Sequence, residues 1–84
     1  MKKETVKKRF IEYANKATDK RAEELCAAIK CDRARLDRAS EMWRNHREMI
    51  ATEDARGVDT YSNYLTAEEY AQVMINVLKL GVNI

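Results

Sequence analysis

Few residues in this chain could make or break a covalent bond. It holds one histidine, His46, and two cysteines, Cys26 and Cys31. His46 falls three residues after Trp43 and four before Ile50, at the edge of an apolar helical stripe. Proton transfer there would need a carboxylate on the same face, and the spacing puts Glu48 and Asp54 on others. No nucleophile stands at helical spacing from the imidazole, and no glycine-rich phosphate loop is present, so the expected role is a partly buried helix histidine. Cys26 and Cys31 are five residues apart. On one continuous helix their side chains would diverge by about 140°, a geometry that cannot close a disulfide. They are expected to be two small, semi-buried thiols of a reducing compartment. These residues predict no catalytic set, no metal set and no cofactor, and hence a chain that is not an enzyme.

The chemistry left is that of binding. Residues Leu25 to Ala39 carry Ile29, Lys30, Cys31, Asp32, Arg33, Ala34, Arg35 and Leu36 in an order that resembles the centre of a DNA-binding helix-turn-helix. Cys26 stands as the small residue of the first helix, and Leu36 and Ala39 as the buried positions of the second. The resemblance implies that Arg33, Arg35 and Arg38 project toward a groove, with Lys2, Lys3, Lys7 and Lys8 on phosphates. Three features depart from the pattern, one being that the second helix continues about five turns beyond Ala34, longer than the motif needs. Lys30 stands where such turns usually carry glycine, and Asp37, Glu41 and Glu48 put negative charge along the helix that would face the duplex. The plainer reading of the same residues is an antiparallel helix pair turning at Lys30 to Asp32, its arginines solvated and paired with Asp32, Asp37 or Glu41.

Aromatic and thioether side chains supply a second binding chemistry. Met42 and Met49 flank Trp43, a combination that suits adaptable protein contacts and equally suits a core. Val58, Tyr61 and Tyr64 lie in a segment of turn-forming residues, Gly57 to Tyr64, where an aromatic surface beside hydrogen-bonding groups would make a protein-binding edge. The alternative is that one tyrosine folds back over the core.

Positioning these groups falls to helices. The 84 residues include no proline and two glycines, with 36% charged and 45% hydrophobic residues, which favours helix over sheet or disorder. Thr66 and Glu69 form a capping box, Leu65 and Tyr70 a hydrophobic staple, and Gly81 a left-handed C-terminal cap. A helix is therefore expected to start at Ala67 and stop at Leu80, with Tyr70, Val73, Met74, Val77 and Leu78 as its apolar positions. Arg33 to Ala55 contains no helix breaker, and Asp32 is its expected N-cap. The first 30 residues carry two stripes slightly out of phase, Val6, Phe10, Tyr13 and Ala17 and then Ala22, Leu25 and Ile29. Thr18 or Asp19 could cap a new helix between them.

The predicted fold is all-α: a single domain, residues 1–84, folded as a bundle of three or four helices. Their limits are about 3–17 and 19–29, fused or divided, then 33–55 and 66–80. The expected core is Phe10, Leu25, Ile29, Leu36, Trp43, Ile50, Leu65, Tyr70, Val73, Val77 and Leu78. That core is thin for a chain of this size, and homodimerisation would help it. Basic character concentrates toward the N-terminus, while the net charge of +2 does not by itself imply a polyanionic partner. No signal-peptide core follows Lys2 and Lys3, and the stretch Val73 to Val82 is too short to span a bilayer, so a cytoplasmic chain without a membrane partner is expected. Two functions fit: a non-enzymatic module (inhibitor, adaptor or subunit) docking on a larger protein, and a helix-turn-helix regulator reading DNA with the helix that begins at Arg33. Division of the first 30 residues discriminates between them, since the tri-helical arrangement needs a break near Thr18.

Overall fold

A computed structural model describes residues 2–55 and 65–82, with side chains of 53–55 outside the description. Four helices follow one another: α1 Lys3–Asn15, α2 Asp19–Ile29, α3 Arg33–Ala55 and α4 Ala67–Leu80. The described residues form an all-α bundle with no strand.

The first 30 residues are divided. Lys16 leaves α1 in an extended conformation, its N–H still donating to the Glu12 carbonyl. Thr18 then caps α2, its side chain accepting the Arg21 N–H at 3.2 Å. α1 thus ends two residues before the expected limit, because a side-chain cap at Thr18 competes with continued helix. α2 ends at Lys30, which adopts the left-handed conformation (φ 64°, ψ 52°). The N–H groups of Lys30 and Cys31 both reach the Cys26 carbonyl, at 2.8 and 3.2 Å, satisfying an end group that would otherwise be orphaned. Asp32 caps α3 as its sequence position predicts, accepting the Arg35 N–H at 2.8 Å. At α4 both bonds of the Thr66–Glu69 capping box form, at 3.0 and 3.2 Å. Gly81 closes the other end at φ 73°.

The core draws on every helix. Val6, Phe10, Tyr13 and Ala14 come from α1, Ala22, Leu25 and Ile29 from α2, Leu36, Ala39 and Trp43 from α3, and Ala71, Met74, Ile75 and Leu78 from α4. α3 and α4 form the most extensive helix pair. They are tied at one end by the Trp43 indole N–H, which donates to the Ala67 carbonyl at 2.7 Å.

Several expected core residues sit elsewhere. Leu65 and Val73 are exposed, while Ile50, Tyr70 and Val77 are half-buried. In α4 the cause is a choice of phase. Ala71, Met74, Ile75 and Leu78 form one i, i+3, i+4, i+7 stripe and Tyr70, Val73, Val77 and Leu80 a neighbouring one, so about 220° of the helix is apolar. The first stripe, with small Ala71 allowing close approach, enters the core. The second is left at the rim. Tyr70 instead stacks on His46 with ring centroids 4.2 Å apart.

Candidate functional site

Two surfaces gather the residues that could bind a macromolecule. The first is the α2–turn–α3 unit. Its apolar positions Leu25, Ile29, Leu36 and Ala39 are all buried, and Cys26 and Cys31 pack half-buried beside them. The three-residue turn is built from left-handed Lys30, a lysine in the conformation usually left to glycine, and from the Asp32 cap.

The arginines divide in role. Arg33 is exposed but engaged twice, bonding Asp19 at 3.0 Å and pairing with Asp37 at 3.4 Å. Arg35 does not project outward with it. Its guanidinium turns onto the end of α4, donating to the Val77, Leu78 and Val82 carbonyls, where a cation satisfies orphan acceptors and the negative end of the helix dipole. Arg38 is exposed and has no partner among the described residues. The outward face of α3 carries Ala34, Arg38, Glu41, Asn45 and Glu48, one basic group against two acidic. Its other flank is fastened to the end of α1. Tyr13 donates to Asp37, Arg44 to the Ala14 carbonyl at 3.2 Å, and Arg47 to Asn15. The Arg47 guanidinium also lies over the Trp43 ring, 5.1 Å from its centroid.

Of the N-terminal lysines, Lys7 pairs with Glu4 at 3.3 Å, and Lys2, Lys3 and Lys8 are exposed. A further basic surface lies beside them. Lys8, Arg9, Lys16, Lys20 and Arg21 line an open groove between α1 and α2, opposed by Glu12 and Glu24. Arg9 is held by Glu24 at 2.6 Å, and Arg21 by the Lys16 carbonyl at 2.8 Å. The signal was the clustering of Lys16, Lys20 and Arg21 around a helix break, visible only once the break is placed.

The second surface is the rim stripe of α4. Val73 is 37% exposed and Leu80 77%, with half-buried Val77 between them. No charged residue occurs from Tyr70 to Leu78. The exposed polar pair on this helix, Gln72 and Asn76, is bonded to itself at 2.9 Å. Glu68 and Glu69 stand at the N-terminal end, Lys79 in the last turn. Met42 is half-buried against the core and Met49 is at the margin of exposure. Val58, Tyr61 and Tyr64 lie outside the described residues, so the proposed loop edge is not on view.

The remaining reactive groups are occupied. His46 Nε2–H donates to the Leu65 carbonyl at 2.7 Å, a structural role matching the expectation of a partly buried helix histidine. Cys26 and Cys31 are both free thiols. The two do not share one continuous helix, because α2 ends between them and the turn returns the Cys31 N–H to the Cys26 carbonyl. Burial, the Cys26 neighbour and Asp32 push the Cys31 thiol up to about 11. Among the described residues no cluster of three or more His, Cys, Asp or Glu side chains could hold a metal ion, and no helix is long and apolar enough to cross a membrane. No protein-family model, curated protein or solved structure matches this chain.

Proposed function

We propose that the chain is a non-enzymatic protein-binding module, acting as an inhibitor, adaptor or subunit, and that it docks through the rim face of α4. The observation that carries this reading is an exposed apolar stripe on a helix free of charge for nine consecutive residues, in a chain of which 36% is charged. Depletion of charge around exposed apolar side chains is the compositional mark of an interface core, whereas a solvated helix face is ordinarily studded with charge. Met42 and Met49 on α3 add adaptable thioether surface. Gel filtration of extract from cells expressing the protein tests it. Wild type should elute in an assembly larger than the monomer, and Val73→Lys with Leu80→Lys should release it as a monomer. Elution of wild type as a monomer would overturn the reading.

A helix-turn-helix regulator is the second reading, favoured by the break at Lys16 to Thr18 and by the left-handed turn at Lys30. It stands second because the outward face of α3 is not basic and Arg35 is committed to α4. Fluorescence anisotropy of labelled duplex DNA, at low and near-physiological salt, decides it. Salt-sensitive binding lost in Arg33→Ala with Arg38→Ala supports DNA recognition. Absence of binding at low salt removes it.

A further inference from the structure

We infer that Cys26 and Cys31 close an intramolecular disulfide across the α2–α3 turn when a low-molecular-weight disulfide of the glutathione type is in excess. The site is independent of the α4 rim. Five residues apart on a continuous helix, the two side chains would diverge by about 140°. Lys30 removes that divergence. Its left-handed backbone reverses the chain, so that the Lys30 and Cys31 N–H groups both return to the Cys26 carbonyl, at 2.8 and 3.2 Å. A six-residue closure of this kind brings the side chains at its two ends against each other, and here both ends are cysteine. Both are half-buried free thiols packed against the core. Cys26 also hydrogen-bonds the Cys31 thiol and, next to burial, is the largest cause of its raised pKa. The chain has no third cysteine to compete.

The exchange balances in two steps. The Cys31 thiol, pushed up to about 11, holds little thiolate at neutral pH, so Cys26 attacks first. Its proton goes to solvent, its Sγ bonds one sulfur of the small disulfide, and the other sulfur leaves as a thiolate that takes up a proton. Cys31 then loses its proton, its Sγ bonds the Cys26 Sγ, and the second small thiol leaves. Two protein thiols become one disulfide, and one small disulfide is reduced to two small thiols. Arg35 favours the Cys31 thiolate as it forms, and Asp32 opposes it. The second step joins side chains that the turn already holds together, so the mixed disulfide does not accumulate.

Incubation of the purified, reduced full chain with excess oxidised glutathione, then acid quenching and mass spectrometry, tests the closure. Wild type should lose both thiols together and about 2 Da, the two thiol hydrogens, and run as a single chain on a denaturing, non-reducing gel. Trypsin cuts after Lys30, so the bond should join the peptide Ala22 to Lys30 to the peptide Cys31 to Arg33 until a reductant separates them. Cys31→Ser should instead stop as a glutathione adduct on Cys26. The part played by the turn is read from the equilibrium constant for closure, which should be at least about tenfold larger in the folded chain than in concentrated urea. Wild type that stays reduced, accumulates glutathione adducts or cross-links between copies overturns the inference. An equal closure constant in urea overturns it too, by showing that the turn does not hold the thiols together.

Discussion

At the scale of single residues, the three arginines that look alike in the sequence do three different jobs. Arg38 makes no hydrogen bond or ion pair among the described residues, Arg33 bridges α2 and α3, and Arg35 caps the end of α4. A charge-assisted hydrogen bond contributes about 1.5–3 kcal/mol, and a cation at a helix C-terminus a further 0.3–1 kcal/mol in an ordinary exposed setting. Arg35→Ala should therefore destabilise the fold by about 2 kcal/mol in urea unfolding and loosen the last turn of α4. Arg38→Ala should stay within about 0.5 kcal/mol of wild type, as surface substitutions do. Any DNA-binding test should thus combine Arg33 with Arg38, because loss of binding in an Arg35 variant would confound contact with folding. Cys31 gives a second residue-level expectation. A thiol raised to about 11 holds little thiolate at neutral pH. Alkylation by iodoacetamide at pH 7.5, followed by mass spectrometry with peptide mapping, should modify Cys31 far more slowly than a free cysteine in an unstructured peptide. A comparable rate would show that packing beside Cys26 does not shield the thiol.

At the scale of elements, Lys30 pays the steric cost of a left-handed conformation in a position where glycine pays little. That cost is about 1–2 kcal/mol for a residue with a Cβ, offset by roughly 0.5–1 kcal/mol of backbone entropy that glycine loses on folding. Lys30→Gly should raise the urea midpoint slightly, corresponding to about 0.5–1 kcal/mol, and a fall would mean that the lysine side chain makes a contact worth more than the strain. Thr66→Ala removes the hydroxyl that accepts the Glu69 N–H, leaves the backbone N–H of position 66 donating to the Glu69 carboxylate, and should cost about 1 kcal/mol. These end signals were the most legible part of the chain, because caps are written in residues three or four apart. Asp32, Thr66, Glu69 and Gly81 all act where their spacing says, and α3 and α4 begin and end as expected. The break after Asn15 was only half legible, since Thr18 lacks the Glu or Gln three residues on that completes a capping box. The phase of α4 was only partly legible: Met74 and Leu78 are buried as expected, whereas Tyr70, Val73 and Val77 are not. Its sequence offers two overlapping apolar stripes, and which one is buried depends on side chains of α1 and α3 far away in the chain. Arg35 was misread for the same reason: its carbonyl partners lie more than 40 residues downstream.

At the scale of the whole molecule, those long-range ties make stability depend on pH in a way that no single helix reveals. Tyr13 is buried in the core and donates its hydroxyl to Asp37, and both burial and the neighbouring carboxylate raise its pKa above the ordinary 10. Cys31 is raised likewise. For both groups the folded state favours the protonated form more than the unfolded state does. Their contributions are therefore complete below the unfolded-state values and are lost as pH rises through the folded ones. Glu69 is the opposite case. The Thr66 backbone and hydroxyl hold its carboxylate below the usual range, so its contribution is present above about pH 4.3 and disappears as pH falls through its lowered value. Thermal unfolding followed by circular dichroism should show a plateau across neutral pH and an alkaline fall beginning near pH 9, where the unfolded chain's thiols and then its tyrosines begin to ionise. Tyr13→Phe should lower the plateau by removing the tie between α1 and α3, yet flatten the alkaline limb, because the group whose ionisation penalised the fold is gone. A limb of undiminished slope in Tyr13→Phe and in Cys31→Ala would show that neither group couples the helices.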